Sequence, residues 1–443
     1  MLVSLILAAC SPDTGSLTSA ETEWIQNIAV TTSDDIPMVL EVTFDTPQAA
    51  TAWVEFGDGS PDESVTASKD ATSHEFAVIG GQPLSDVYMR VIVEFDGEQY
   101  ESGIFTHTTG QQLPEMPTFE VMVNNYDPPE SAVLLMSVYN NPSALVMLDF
   151  DGQVVWSRGT IDNSDGLGVG VLPMNGEIYY NTFSDNRWRN AQLTRMSLSG
   201  EVLQTIDTPD AHHFFTPGPD NEIAWIQYDA ETPDTQSPVY GDRIVIGVDN
   251  PQPLISTWDH LTFEANAENL PEWTHANWVE YNPERDSYLM STAFTDVIIE
   301  ADTDGNPLRI MGGVNAAAGD SDYSFESQES QFSFPHGPHW TSKGDLLVFS
   351  TRNGISSAVR YEVDDDTSTL REQWRFGEDL RLNALALGEV QELPDDNILI
   401  NWGSVGIIQV VEPSTDTVLW EARSGLQEFP AQVHYMDSPY ATR

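Results

Sequence analysis

The 443-residue chain carries 70 acidic against 17 basic residues, a formal net charge of −53. A surface of that sign repels nucleic acid and anionic membranes, so no DNA or RNA partner is expected. The length suggests two domains, and 12 Trp, 14 Tyr and 18 Phe are enough to fill a large core.

The chain opens on the apolar run Met1 to Cys10 and then on polar, small residues up to Thr22. Cys10 is the only cysteine, which leaves neither a disulfide framework nor a Cys-based metal site. An apolar run ending Leu-Ala-Ala-Cys is similar to a bacterial lipoprotein signal, with Cys10 lipidated and residues 1–22 serving as signal and tether. The run is too short to span a bilayer and lacks a basic start, so the translation start is expected upstream. The protein is expected to be exported, periplasmic or anchored at the outer membrane, with the cell surface left open. Its membrane contact is then through lipid alone.

Residues 23–112 alternate with period two between turn residues. Met38 to Phe44, Ala52 to Phe56 and Val87 to Val93 each read as a half-buried strand. The pattern predicts a β-sandwich and resembles an immunoglobulin or fibronectin III-like module. A proline-bearing link from Gly110 to Pro117 ends it.

From residue 118 to the C-terminus a unit of about forty residues recurs. One half is a turn opening into an apolar strand, as in Pro173 to Tyr180, Pro219 to Trp225, Pro283 to Met290, Ser342 to Val348 and Pro394 to Ile400. The other half is a hairpin, as in Met147 to Trp156, Met196 to Leu203 and Ile299 to Leu308. Six units of four strands, starting near 118, 165, 210, 268, 332 and 383, predict an all-β fold: a six-bladed β-propeller preceded by the sandwich. The acidic-Gly turns such as Asp302 to Gly305 read as hairpin turns, since no twelve-residue calcium loop follows.

The first strand of each propeller blade lines the central channel. His213 and His336 each fall ten residues before the second strand of their unit, and His275 takes the same phase in a unit whose turn is longer. Gly168 and Gly388 hold that phase in the second and sixth units, where a small residue would leave room. His212 and His339 flank the phase, while His260 and His434 fall outside it. Three convergent imidazoles support two chemistries: they can bind Zn²⁺ or Cu²⁺, or one can act as nucleophile while the others move protons. A non-catalytic propeller that binds a ligand or protein in the same channel is the third reading. No P-loop, dinucleotide fingerprint or nucleophile elbow is present.

Four stretches carry a resemblance to the bacterial arylsulfate sulfotransferases: Ala211-His212-His213, Trp273 to Val279, Phe332 to Trp340, and Gly388 to Pro394 with Asn401-Trp402-Gly403. The resemblance implies a propeller that moves a sulfuryl group from a phenolic sulfate donor to a phenol acceptor, without nucleotide or other cofactor and without metal. A homodimer is left open. It implies that His336 matches the nucleophilic histidine, which carries the group as a sulfohistidine in a ping-pong cycle, and that His213 and His275 match the supporting histidines. His212, Asn277, His339 and Trp340 lie in the same motifs and are the candidate substrate-binding residues. Two positions depart from the family: Pro335 stands where Gln is usual, and Ala293 stands where an Arg is usual. Arg352, at the same phase one unit later, is the candidate to supply the missing charge.

Overall fold

In the computed structural model the described residues are 20–440, apart from 66, 113–115, 140–142, 160–165, 169, 185–190, 233–237 and 264–271. Cys10 and its flanks lie outside them. Among the described residues no helix is long and apolar enough to cross a membrane.

The chain divides into two units, the first comprising Met1–Pro114 with Val155–Ser157 and Leu198–Glu201. The first unit is built on Leu40–Gly57, one 18-residue strand where the sequence pattern suggested two. Its first half pairs with Gln26–Thr32 and Ser68–Val78, and its second half pairs with Asp86–Phe95. Register shifts between Asp45 and Ala52 turn the strand from one set of partners to the other, so the hydrophobic alternation breaks there although the strand continues.

The second unit is a six-bladed β-propeller. Its sheets are four- or five-stranded and follow the chain, each strand antiparallel to the last in the main run. The inner strands of the second to sixth blades are Val171–Met174, Ala211–Pro217, Ala276–Asn282, His336–Trp340 and Gly388–Glu392. The first blade differs from the expected unit. Phe119–Asn124 is not its inner strand but joins the outer edge of the sixth blade on Thr417–Ser424. Phe429–Met436 supplies the inner strand of the first blade, on Val133–Tyr139. Both ends of the propeller segment thus close the ring, and pairing between distant segments is not encoded in local periodicity. One consequence is that His434, which fell outside the predicted phase, lies on an inner strand. Its Nε2 sits 2.7 Å from the carbonyl of Val171.

The core lies between successive blades. Leu134, Met136 and Val146 of the first blade pack on Leu399, Val410 and Trp420 of the sixth. Leu289 and Ile298 of the fourth pack on Leu346 and Val348 of the fifth. Because neighbours cover both faces, second strands such as Ser287–Thr292 are buried at every position. That strand therefore carries a short apolar run, Tyr288 to Met290, between buried Ser and Thr residues rather than an alternation. Asp302 Oδ1 accepts the backbone N–H groups of Asp304 and Asn306, so that acidic turn organises its hairpin as expected.

Candidate active site

His213, His275 and His336 sit at one end of consecutive inner strands, each at or beside an interruption of the ladder. Register shifts fall between Ala211 and Phe215, between Ala276 and Trp278, and between His336 and His339. His213 and His275 have φ of 56° and 52°, in the left-handed region that a residue with a Cβ rarely adopts. Phe334 has φ 48° just before His336, and Gly337 has φ 52° just after it. Such backbone costs about 1–3 kcal/mol per residue and persists where the surroundings enforce it. Here it brings one imidazole from each of three blades into a common cluster.

The rings of His213 and His275 meet edge to face, with centroids 4.8 Å apart. His336 packs against Phe214 and Trp278, with centroids 5.6 and 5.9 Å away. It is 5% exposed, and its Nδ1 is enclosed with no partner at hydrogen-bonding geometry. Burial, reinforced by the neighbouring His275, pushes the His336 imidazole down to about 3, against a weak opposing pull from the Gly388 peptide. His336 is therefore neutral at physiological pH. His213 is also held well below its ordinary value, first by burial and then by the charges of His275, His212 and His336.

Each supporting histidine has a carboxylate behind it. His275 Nδ1 lies 2.7 Å from Glu272 Oε2, and its ring stacks on Phe294 at 4.5 Å. Burial pushes the Glu272 carboxyl up, but the hydrogen bond and charge of His275 carry it below its usual value. His212 bridges His213 to a buried acid: His212 Nδ1 is 2.7 Å from His213 Nδ1, and His212 Nε2 is 3.0 Å from Asp242 Oδ1. Asp242 Oδ2 accepts the Thr274 hydroxyl at 2.5 Å and the Ala276 N–H at 2.6 Å.

Two further groups fix the peptide ahead of His336. The Phe334 N–H donates to the buried Asp296 Oδ1 at 2.6 Å, and the Asn277 side-chain amide donates to the Pro335 carbonyl at 3.0 Å. Asn277 is itself held by the Ser291 hydroxyl at 2.6 Å. Asn277 thus grips the segment carrying His336 from the next blade, and its side chain is committed to that task.

The remaining candidates do not join the cluster. His339 Nδ1 pairs with Glu280 Oε1 at 2.8 Å, further down the same strand. Trp340 is buried in the core between the fourth and fifth blades, with the Arg285 guanidinium 3.9 Å over its ring. Arg352 Nη1 donates to the carbonyls of Gln328 and Glu329 at 2.8 and 2.6 Å. Among the described residues no lysine or arginine forms a hydrogen bond or ion pair with the three imidazoles. Gly388 does not leave open room: a Cβ there would lie 2.1 Å from the Phe349 ring, which fills the space. Among the described residues no group of three His, Cys, Asp or Glu side chains is arranged to hold a metal ion.

The fold and this cluster define a six-bladed propeller with an imidazole site in its channel. Residues 119–440 match the Arylsulfotransferase (ASST) family, and the chain belongs to it. The family carries aryl sulfotransferase activity, with a phenolic sulfate donor and a phenol acceptor. No curated protein matches the chain at a significant level. Among solved structures, the chain is similar to a protein of unknown function from Bacteroides caccae at 14% identity and TM-score 0.45, covering 69% of this chain and 99% of that one. It is similar to a streptogramin B lyase at 12% identity and TM-score 0.40, covering 72% and 89%. A periplasmic gluconolactonase from Pseudomonas aeruginosa matches at 12% identity and TM-score 0.39, covering 69% and 98%. Likenesses at that level carry no functional argument.

Asp242, Glu272 and Asp296 escaped the sequence reading. Glu272 stands three residues before His275, the one local signal that was available.

Proposed function

We propose that the chain moves sulfuryl groups between phenols by a ping-pong mechanism through a sulfohistidine on His336. The observation that carries this reading is the neutral, enclosed imidazole of His336 beside two histidines backed by carboxylates. A nucleophile must offer a lone pair at the working pH, and burial provides that without a neighbouring base. We assign the attack to one ring nitrogen of His336. It attacks sulfur in line, the S–O bond to the phenol breaks, and the phenolate takes a proton. An acceptor phenol then gives up its proton, attacks the sulfur, and returns the electron pair of the N–S bond to His336. Ala293 offers no charge to the sulfuryl oxygens, and Arg352 is occupied with a turn. We assign the donor to those oxygens to the N–H of His275, whose other ring nitrogen is held by Glu272.

The test is incubation with 4-nitrophenyl sulfate and phenol, with intact-mass measurement after quenching in donor alone. A sulfuryl adduct that maps to His336 and disappears on adding phenol is expected. Turnover that survives His336→Ala defeats the assignment. We also propose that Cys10 is lipidated and the protein exported. Partition of the full-length protein into detergent, lost in Cys10→Ser, checks this.

A further inference from the structure

We propose that Phe294 and Phe334 form an aryl subsite at the solvent edge of the imidazole cluster, and that it favours substrates with two fused aromatic rings over those with one. This rests on the sulfohistidine reading and adds to it the residues that choose the donor and acceptor.

One turn places both rings. Phe294 follows Ser287–Thr292, the second strand of the fourth blade. The Ala293 N–H donates to the His275 carbonyl and the Phe294 N–H to the Thr274 carbonyl, both at 3.0 Å. Thr292 Oγ1 lies 2.7 Å from Thr295 Oγ1 and donates to the Val297 carbonyl at 2.9 Å, which closes the turn. The Phe294 ring is laid on the His275 imidazole, with 4.5 Å between centroids and 13° between planes. Phe334 stands two residues before His336, with its backbone in the left-handed region at φ 48°. Asp296, from the same turn as Phe294, holds it there: Oδ1 accepts the Phe334 N–H at 2.6 Å. Asp296 Oδ2 accepts the backbone and side-chain N–H groups of Asn315 at 3.0 and 2.8 Å, so the carboxylate is itself fixed. The two phenylalanine centroids end 6.1 Å apart with planes 46° apart, splayed rather than stacked on each other.

Exposure separates this pair from the other rings around the nucleophile. Phe214 and Trp278 pack on His336 and are buried, so they wall the imidazole and have no surface left for a ligand. Phe294 packs on His275 and is 40% exposed, and Phe334 is half-buried. An aromatic face left in water is stabilised when a flat apolar partner covers it, and offset stacking adds to the burial. With the phenolic oxygen at His336, a single ring covers only the near part of this surface, and a second fused ring covers more.

The experiment measures binding of 2-naphthol and of phenol by isothermal titration calorimetry, which needs no turnover. Phe294→Ala is expected to weaken 2-naphthol about 10-fold and phenol less than about 3-fold. Phe294→Leu, which keeps apolar bulk without a flat face, is expected to weaken 2-naphthol about 3–10-fold, and Phe294→Tyr to stay within about 2-fold of wild type. A 2-naphthol affinity within about 2-fold of wild type in both the Ala and Leu variants overturns the subsite, as does a wild type that does not bind 2-naphthol. With 2-naphthyl sulfate as donor, the loss in Phe294→Ala is expected in KM. A fall in kcat at constant KM would mean that the ring only holds His275 in place, and would also overturn the subsite. A wild type that binds 2-naphthol yet forms no His336 adduct with 2-naphthyl sulfate removes the sulfohistidine reading and leaves the subsite standing.

Discussion

Acidification should weaken the folded protein through His336 in a way that one substitution isolates. An ordinary histidine in the unfolded chain titrates at about 6.5, whereas the folded His336 does so at about 3. Between those values the unfolded chain binds a proton that the folded one refuses. Stability from this group is therefore complete above pH 6.5 and falls as pH drops toward 3. The slope is about 1.4 kcal/mol per pH unit, so about 2 kcal/mol is lost between pH 7 and pH 5. His336→Asn cannot take up the proton in either state. The 70 acidic residues titrate alike in both proteins and cancel in the comparison. Urea unfolding of wild type and His336→Asn at pH 7, 6 and 5 should show the difference in unfolding free energy shifting by about 2 kcal/mol against wild type. Parallel pH dependences, within about 0.5 kcal/mol, would mean that His336 is not an enclosed neutral imidazole, and the nucleophile argument would lose its physical basis.

Asn277→Ala frees the Pro335 carbonyl and the Ser291 hydroxyl in a buried setting, and should cost about 1–3 kcal/mol of stability by thermal or urea unfolding. Because the loss is of positioning, kcat should fall while KM for the donor stays nearly constant. Arg352→Ala should leave kcat/KM within about 3-fold, since the guanidinium holds the 328–331 turn; a 100-fold loss would return it to the pocket. Trp420 closes the ring by donating its indole N–H to Phe150 O at 2.7 Å from a fully buried position. Trp420→Ala should cost about 3–5 kcal/mol in unfolding free energy without altering the pH profile of activity.

The blades were legible because each second strand opens on a turn residue and runs apolar, a signal that survives without any knowledge of pairing. The channel phase of His213, His275 and His336 followed from counting back along those strands. What local pattern could not carry was closure, since Phe119–Asn124 and Phe429–Met436 read like any strand and differ only in their partners. The carboxylates behind the histidines were hidden for another reason. In a chain with 70 acidic residues, Asp242 or Asp296 is one acid among many, and only burial separates it from a solvated one. Trp340 and Arg352 were drawn to the site by proximity to a motif or by phase. In both, side-chain direction put the functional group elsewhere, which sequence spacing alone does not resolve.

The charge of the whole molecule bears on how such a site meets its donor. An aryl sulfate is an anion, and the chain carries −53 with no lysine or arginine bonded to the histidine cluster among the described residues. That net charge opposes approach of the donor at long range, whereas N–H groups at the histidines act on it only at contact. Salt screens the first effect far more than the second, with a Debye length falling from about 30 Å at 0.01 M to about 8 Å at 0.15 M. Donor kcat/KM should then rise several-fold across that range, while a neutral phenol acceptor, at saturating donor, should show little change. The usual pattern for an anionic substrate steered by basic residues is the reverse. A fall in donor kcat/KM with salt would place an unrecognised cation at the channel mouth and reopen the question of what replaces the arginine lost at Ala293.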